Sequence, residues 1–147
     1  MNNNTFKILS INLSERKGVQ KTPVQEALLK ENHGIEGDAH AGPWHRQVSL
    51  LATEDIEGMR GRGIEIHCGD FAENITTEGV ELPKLPVGTR LYIGTAVLEV
   101  TQIGKECHHD CAIYQAVGDC VMPRQGIFAR VIRGGTISRA SRCHYGI

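Results

Sequence analysis

Turn-forming residues recur about every ten positions along this chain, spacing that suits many short strands and leaves little room for long helices. The clearest case is VGTRLYIGTAVLEVTQIG. Two β-rich runs, Thr89–Ile93 and Ala96–Ile103, meet at Gly94-Thr95, where a tight hairpin turn needs a residue tolerant of positive φ. FKILSINL, RQVSLLA and DFAENITT are further strand candidates bounded by Gly, Pro or Thr. GIFARVIRGGTISRA reads as a strand, a Gly134-Gly135 turn and a return strand. Ile127, Phe128, Val131 and Ile132 also fit one helical face, and the glycine pair decides for β. Two helices are expected. The first is TPVQEALLKENHG, with Thr22 as cap, Pro23 at the first helical position, a Glu26–Lys30 pair and Gly34 as terminator. The second follows Thr53, where Glu54 and Asp55 complement the helix dipole and Gly58, Gly61 and Gly63 keep it short. The expected fold is mainly β: one barrel-like domain over residues 1–147 with a few short peripheral helices, its site carried by loops.

Composition narrows the function. With 147 residues, 40% hydrophobic and 22% charged, the chain can bury a core without disulfides. No apolar run approaches the roughly 20 residues that cross a bilayer, and MNNNTFKILS lacks a signal-peptide core, so a cytoplasmic protein is expected. A net charge of −1 and few aromatics argue against a nucleic-acid or membrane surface. From Ala112 onward, however, Arg124, Arg130, Arg133, Arg139 and Arg142 face Asp119 alone. That segment suits either a small anionic ligand or a solvated edge strand.

The densest chemistry lies in GKECHHDCAIYQAVGDC, which holds three of five cysteines and an adjacent pair of seven histidines. The odd, clustered cysteine count fits reduced thiols better than a disulfide framework. Cys107, His108, Cys111 and Cys120 offer thiolate and imidazole ligands suited to zinc, copper or iron, although a structural zinc site usually shows two short ligand pairs. Cys111 and Cys120 also read as small buried hydrophobes. Cys107 differs, because Lys105 and His108 favour its thiolate while Glu106 and Asp110 oppose it. No nucleophile elbow, phosphate loop or dinucleotide fingerprint is present. A second dense stretch, GIEGDAHAGPWHRQVSLL, places Asp38, His40, His45 and Arg46 in one glycine-punctuated loop, and GDFAENI adds Asp70, Glu73 and Asn74. Solvated histidines and turn capping by Asp70 and Asn74 are the competing explanations.

Taken in order, KTPV at Lys21, GIEGDAHAG with RQVSLL, GDFAENITTEGVELPKLPVGTRLYIGTAVLEVTQIGKEC and GIFARVIRGG resemble the MOSC domain, the C-terminal region of molybdenum cofactor sulfurase. The resemblance covers nearly the whole chain. It implies a β-barrel-like fold that binds molybdenum cofactor (molybdopterin), with Cys107 as the reactive cysteine, either a thiolate ligand of molybdenum or a persulfide carrier. Lys21, Asp38, His40, Arg46, Gln47, Asn74 and Arg130 fall at matching motif positions as cofactor-binding candidates. The implied role is a sulfur carrier or cofactor-maturation protein, with a cysteine desulfurase-type donor and a molybdoenzyme acceptor as partners. In the larger sulfurases a separate PLP-dependent domain mobilises the sulfur, so PLP is expected only on a partner. Whether the chain is itself an enzyme, by sulfur transfer or cofactor-dependent chemistry, stays open. The alternative is a non-catalytic metal-binding module in which Cys107, His108, Cys111 and Cys120 hold zinc. The chain departs from the family pattern after Gly135, where TISRASRCHYGI replaces the usual Gly-Asp turn and last strand. An incomplete or differently paired C-terminal edge is therefore expected.

Overall fold

The computed structural model describes residues 4–16, 19–60, 68–69, 71–104 and 126–146. Its strands are β1 (Thr5–Leu13), β2 (Thr22–Val24), β3 (Glu26–Lys30), β4 (Gly34–Ile35), β5 (Val48–Ala52), β6 (Ile75–Glu78), β7 (Arg90–Ile93), β8 (Ala96–Ile103), β9 (Ile127–Arg133), β10 (Gly135–Ser138) and β11 (Cys143–Gly146). One helix, α1 (Thr53–Arg60), and a 3-10 turn at Leu82–Lys84 complete the described elements. The main sheet runs β11-β7-β8-β9-β5-β6-β1-β2, and pairing of β11 with β1 closes seven of these strands into a barrel. A second sheet, β10-β3-β4, adds Ala27, Leu29, Ile35 and Ile137 to the same core.

Alternation explains most strands. In β1, Phe6 and Ile8 point inward while Thr5 and Lys7 are exposed. The hairpin of β7 and β8 pairs Ile93 with Ala96 across the Gly94-Thr95 turn, as its residues predict. All five residues of β5 are buried, because β6 and β9 flank it and α1 packs against it, with Ile56 and Leu51 both fully enclosed. β5 and β6 pair in parallel, the crossover being the segment that contains α1. DFAENITT becomes strand only from Ile75 onward.

Residues 22–34 are not the expected helix. They form β2, β3 and β4 with a turn at Glu31–His33. Ala27 and Leu29 face the core, Glu26, Leu28 and Lys30 face outward, and β3 pairs with β10 from Leu29↔Gly135 to Glu26↔Ser138. Backbone pairing with a distant strand overrides local helix preference, and Leu28 is left 39% exposed. Nor does β10 return onto β9, which pairs with β8 along one edge and with β5 at Ile127–Ala129 on the other. The chain instead crosses to β3 at Gly134, where a Cβ would sit 2.6 Å from the Leu29 carbonyl oxygen. The C-terminal segment is not an incomplete edge: β11 aligns with β7 over four residues and meets β1 at Thr5↔His144 and Phe6↔Cys143. Among the described residues no helix is long and apolar enough to cross a membrane.

Candidate functional site

At the end of the barrel where β1 finishes, Lys21 and Asp38 form an ion pair of 2.8 Å with both side chains fully buried. The Lys21 ammonium also donates to Ser14 Oγ (3.1 Å) and to His40 Nδ1 (3.1 Å). Asp38 accepts in addition from the Ser14 amide (3.0 Å) and the His40 amide (3.0 Å). Burial opposes ionisation of Asp38, but the His40 and Lys21 side chains and the Ser14 amide outweigh it and hold the carboxyl well below the usual carboxylate range. His40 Nδ1 thus lies 3.1 Å from the Lys21 ammonium and 3.8 Å from Asp38 Oδ2, in reach of both members of the ion pair. The ring is 22% exposed, so the site presents an imidazole held from within.

This cluster is held from below. The Lys21 amide donates to the Gly69 carbonyl (2.8 Å), and the Gly69 amide donates to Glu73 Oε2 (3.0 Å). Gly69 has φ +90°, and a Cβ there would lie 2.2 Å from the Lys21 carbonyl oxygen, so only glycine lets the two backbones meet. Glu73 also accepts from the Phe71 amide and from Thr76 Oγ1. Burial pushes its carboxyl up, against the pull of these hydrogen bonds.

The loop after His40 extends the site. Trp44 Nε1 donates to the His40 carbonyl (2.7 Å), and the Arg46 guanidinium lies 4.7 Å from the Trp44 ring centroid and 5.5 Å from that of Phe128. Arg46 Nε is buried with no hydrogen-bond partner among the described residues. His45 Nε2 meets Gln102 Oε1 at 2.7 Å, the His45 carbonyl accepts from Thr101 Oγ1, and Gln102 Nε2 donates to the Gly104 carbonyl. Gly104 in turn donates its amide to Gly126 (2.7 Å). The loop that bears Trp44 and Arg46 is thus tied to the two residues that bracket the cysteine-rich segment.

Of the residues singled out in the sequence, Lys21, Asp38 and His40 converge, with Arg46 joined to them through Trp44. Gln47 is fully buried, accepting from the Val131 amide (2.9 Å) and donating to Asn32 Oδ1. Asn74 is equally buried, and it links β5 to β1 by accepting from the Ser49 amide and donating to the Asn12 carbonyl. Arg130 is exposed on β9 and pairs with Glu99 of β8 at 3.2 Å. Cys107, His108, Cys111, Cys120 and Asp70 lie outside the described residues. Among the described residues no three His, Cys, Asp or Glu side chains converge as metal ligands. Sequence reasoning passed over Ser14 and Trp44. Nothing in the sequence marks Ser14, whereas Trp44, the chain's single tryptophan and set beside Arg46, was a usable signal.

Comparison with known proteins agrees with this architecture. The YuaD protein of Bacillus subtilis superposes with a TM-score of 0.78 at 18% identity, over 96% of this chain and 95% of that one. YiiM of Geobacillus stearothermophilus gives 0.74 at 21% identity, over 97% and 75%. YiiM of Escherichia coli gives 0.71 at 17% identity, over 97% and 70%. At these identities the likeness is one of fold. No curated protein matches the chain in sequence. The family model for the MOSC domain matches residues 36–141, a span from the Asp38 loop through the barrel to the turn before β11. The chain belongs to the MOSC domain family.

Proposed function

We propose that this protein binds molybdenum cofactor and serves in cofactor maturation as a sulfur carrier through Cys107. The MOSC family is generally linked to molybdenum cofactor binding and sulfurase function. The observation that carries the reading to this chain is Arg46. Its guanidinium is clamped over Trp44 and Phe128, and its buried Nε has no partner among the described residues. A buried donor without an acceptor is costly unless a ligand supplies one, and a guanidinium suits the phosphate of a pterin cofactor. His40, partly exposed and linked to Arg46 through Trp44, adds an imidazole to the set. The donor set therefore fits the group.

In this reading Arg46 and His40 hold polar groups of the cofactor, and Lys21 with Asp38 orients His40. Gln47 and Asn74 brace the surrounding strands, and Arg130 adds positive charge on the outer face of β9. When bound, the cofactor supplies a sulfur-ligated molybdenum centre that exchanges a sulfur or thiolate ligand. Cys107 follows Gly104 by three residues, so the segment that carries it is rooted where His45 and Gln102 meet. In the transfer from a cysteine desulfurase-type donor, the Cys107 thiolate attacks the terminal sulfur of the donor persulfide. A new sulfur–sulfur bond forms on Cys107 and the donor leaves as thiolate.

The test is elemental analysis of protein purified anaerobically from a molybdenum-replete host, alongside Cys107→Ser and Arg46→Ala. Molybdenum should accompany the wild type, fall with Arg46→Ala and disappear with Cys107→Ser if the thiolate is a ligand. A carrier role predicts instead retained molybdenum with a sulfane sulfur lost in Cys107→Ser. Zinc at one per chain, lost with Cys111→Ser as with Cys107→Ser, would replace this reading with the structural metal module.

A further inference from the structure

β1 has neighbours on both edges, but one edge is interrupted. Its pairing with β6 spans Lys7 to Ile11. On the opposite edge it pairs with β11 only at Thr5 and Phe6, and with β2 only from Ile11 to Leu13. Barrel closure requires β11 to lie opposite β6, and Ile11 pairs with both β6 and β2, so β11 and β2 share that edge. Between them the stretch Lys7–Ser10 has no strand beside it among the described residues, a gap of ~13 Å.

A groove of about 1150 Å³ opens there, with Thr5–Leu9 on one wall and Arg139–His144 on the other. The second wall is rigid. Ser138 and Ser141 exchange hydrogen bonds across the turn, and the Arg142 carbonyl accepts from the Gly94 amide (2.8 Å). Arg139, Arg142 and Lys7 are exposed along the groove, and neither arginine has an ion-pair partner among the described residues. The one carboxylate that lines it is Glu78, opposite Lys7 across the β1–β6 pair. In a chain of net charge −1 this is a local excess of positive charge.

We propose that this groove binds an extended acidic segment of a partner protein, which adds as a short strand to the open edge of β1. A gap in a ladder offers main-chain donors and acceptors that another backbone matches, and the cationic rim selects a segment rich in Asp and Glu. A small anion would satisfy the arginines and leave the edge unused. The groove runs along β1 from Thr5 to Leu9 and the Lys21–Asp38 cluster lies beyond the Leu13 end, roughly 13 Å further along the strand. A partner held there leaves the candidate cofactor end open, and its binding does not depend on the cofactor.

The test uses the full chain and a fluorescein-labelled peptide of alternating Glu and Val, with a Lys and Val peptide as counterpart. Anisotropy should saturate for the acidic peptide, weaken with added salt, and weaken by about tenfold or more in Arg139→Ser/Arg142→Ser, whose side chains are exposed and spare the fold. Amide hydrogen exchange should slow at Lys7–Ser10 on binding. Failure of the acidic peptide to saturate, equal binding of the basic peptide, indifference to the double substitution, or protection confined to other residues would each overturn the proposal. Molybdenum content, measured on the same preparations, should not change with the double substitution, so failure here is separable from failure of the cofactor reading.

Discussion

The Lys21–Asp38 pair makes the most demanding prediction. Both side chains are fully buried, so the loss of either strands the other charge away from water. Lys21→Met leaves a carboxylate that still accepts from the Ser14 and His40 amides, and Asp38→Leu leaves a buried ammonium that has lost its carboxylate and still faces Ser14 Oγ and His40 Nδ1. Each should cost about 3–5 kcal/mol, because each leaves a buried charge without its counter-ion. The double variant removes both charges and leaves two unpaired amides, a cost of roughly 2–3 kcal/mol. Coupling of at least ~2 kcal/mol should therefore appear in a double-mutant cycle measured by urea unfolding. Trp44, the chain's one tryptophan, reports on this very loop. The sign with pH follows from the depressed folded value of Asp38. Its contribution is fully present above the unfolded value near ~3.9 and is lost as pH falls through the folded one, so wild type and Asp38→Leu should converge on acidification below about pH 4. A double variant whose cost equals the sum of the singles would refute the argument.

Gly69→Ala should lower stability by about 2–4 kcal/mol and loosen the segment that carries Lys21, read as a fall in thermal midpoint, since its Cβ would meet the Lys21 carbonyl at 2.2 Å. Gln47→Leu should cost about 1–3 kcal/mol in urea unfolding, because the buried Val131 amide and Asn32 lose their partner. Burial pushes the Cys143 thiol up to about 11. Iodoacetamide at pH 8 should accordingly spare Cys143 in the folded protein and modify it in urea, as peptide mapping would record. Arg46→Lys should perturb Trp44 emission without altering the fold by circular dichroism, since a lysine cannot stack a planar group over both Trp44 and Phe128.

Local signals read well wherever the partner lies close in sequence. The β7–β8 hairpin carries its own turn, and α1 carries its own acidic first turn. Residues 22–34 show the opposite case, because the pattern Glu26-Ala-Leu-Leu-Lys30 fits a helix and a strand alike and its state is decided by β10, more than a hundred positions later in the chain. The Gly134-Gly135 pair does not turn the chain back onto β9: Gly134 links the two strands, and Gly135 already pairs with Leu29 as the first residue of β10. The convergence of Lys21, Asp38 and His40 was legible only as resemblance to a family motif. Ser14 is a single hydroxyl in a loop, and its part in that cluster exists only once β1 has been placed beside the Asp38 loop.

Closure of the barrel joins Thr5 and Phe6 to His144 and Cys143. The ring therefore depends on a contact of nearly maximal sequence separation, and loop-closure entropy must be overcome before that contact returns any stabilisation. During synthesis β1 can meet β6 early, yet the ring stays open until residues 143–146 have left the ribosome. Folding of this chain should thus be slow for its size, and substitutions in β11, whose pairing closes the ring, should slow refolding.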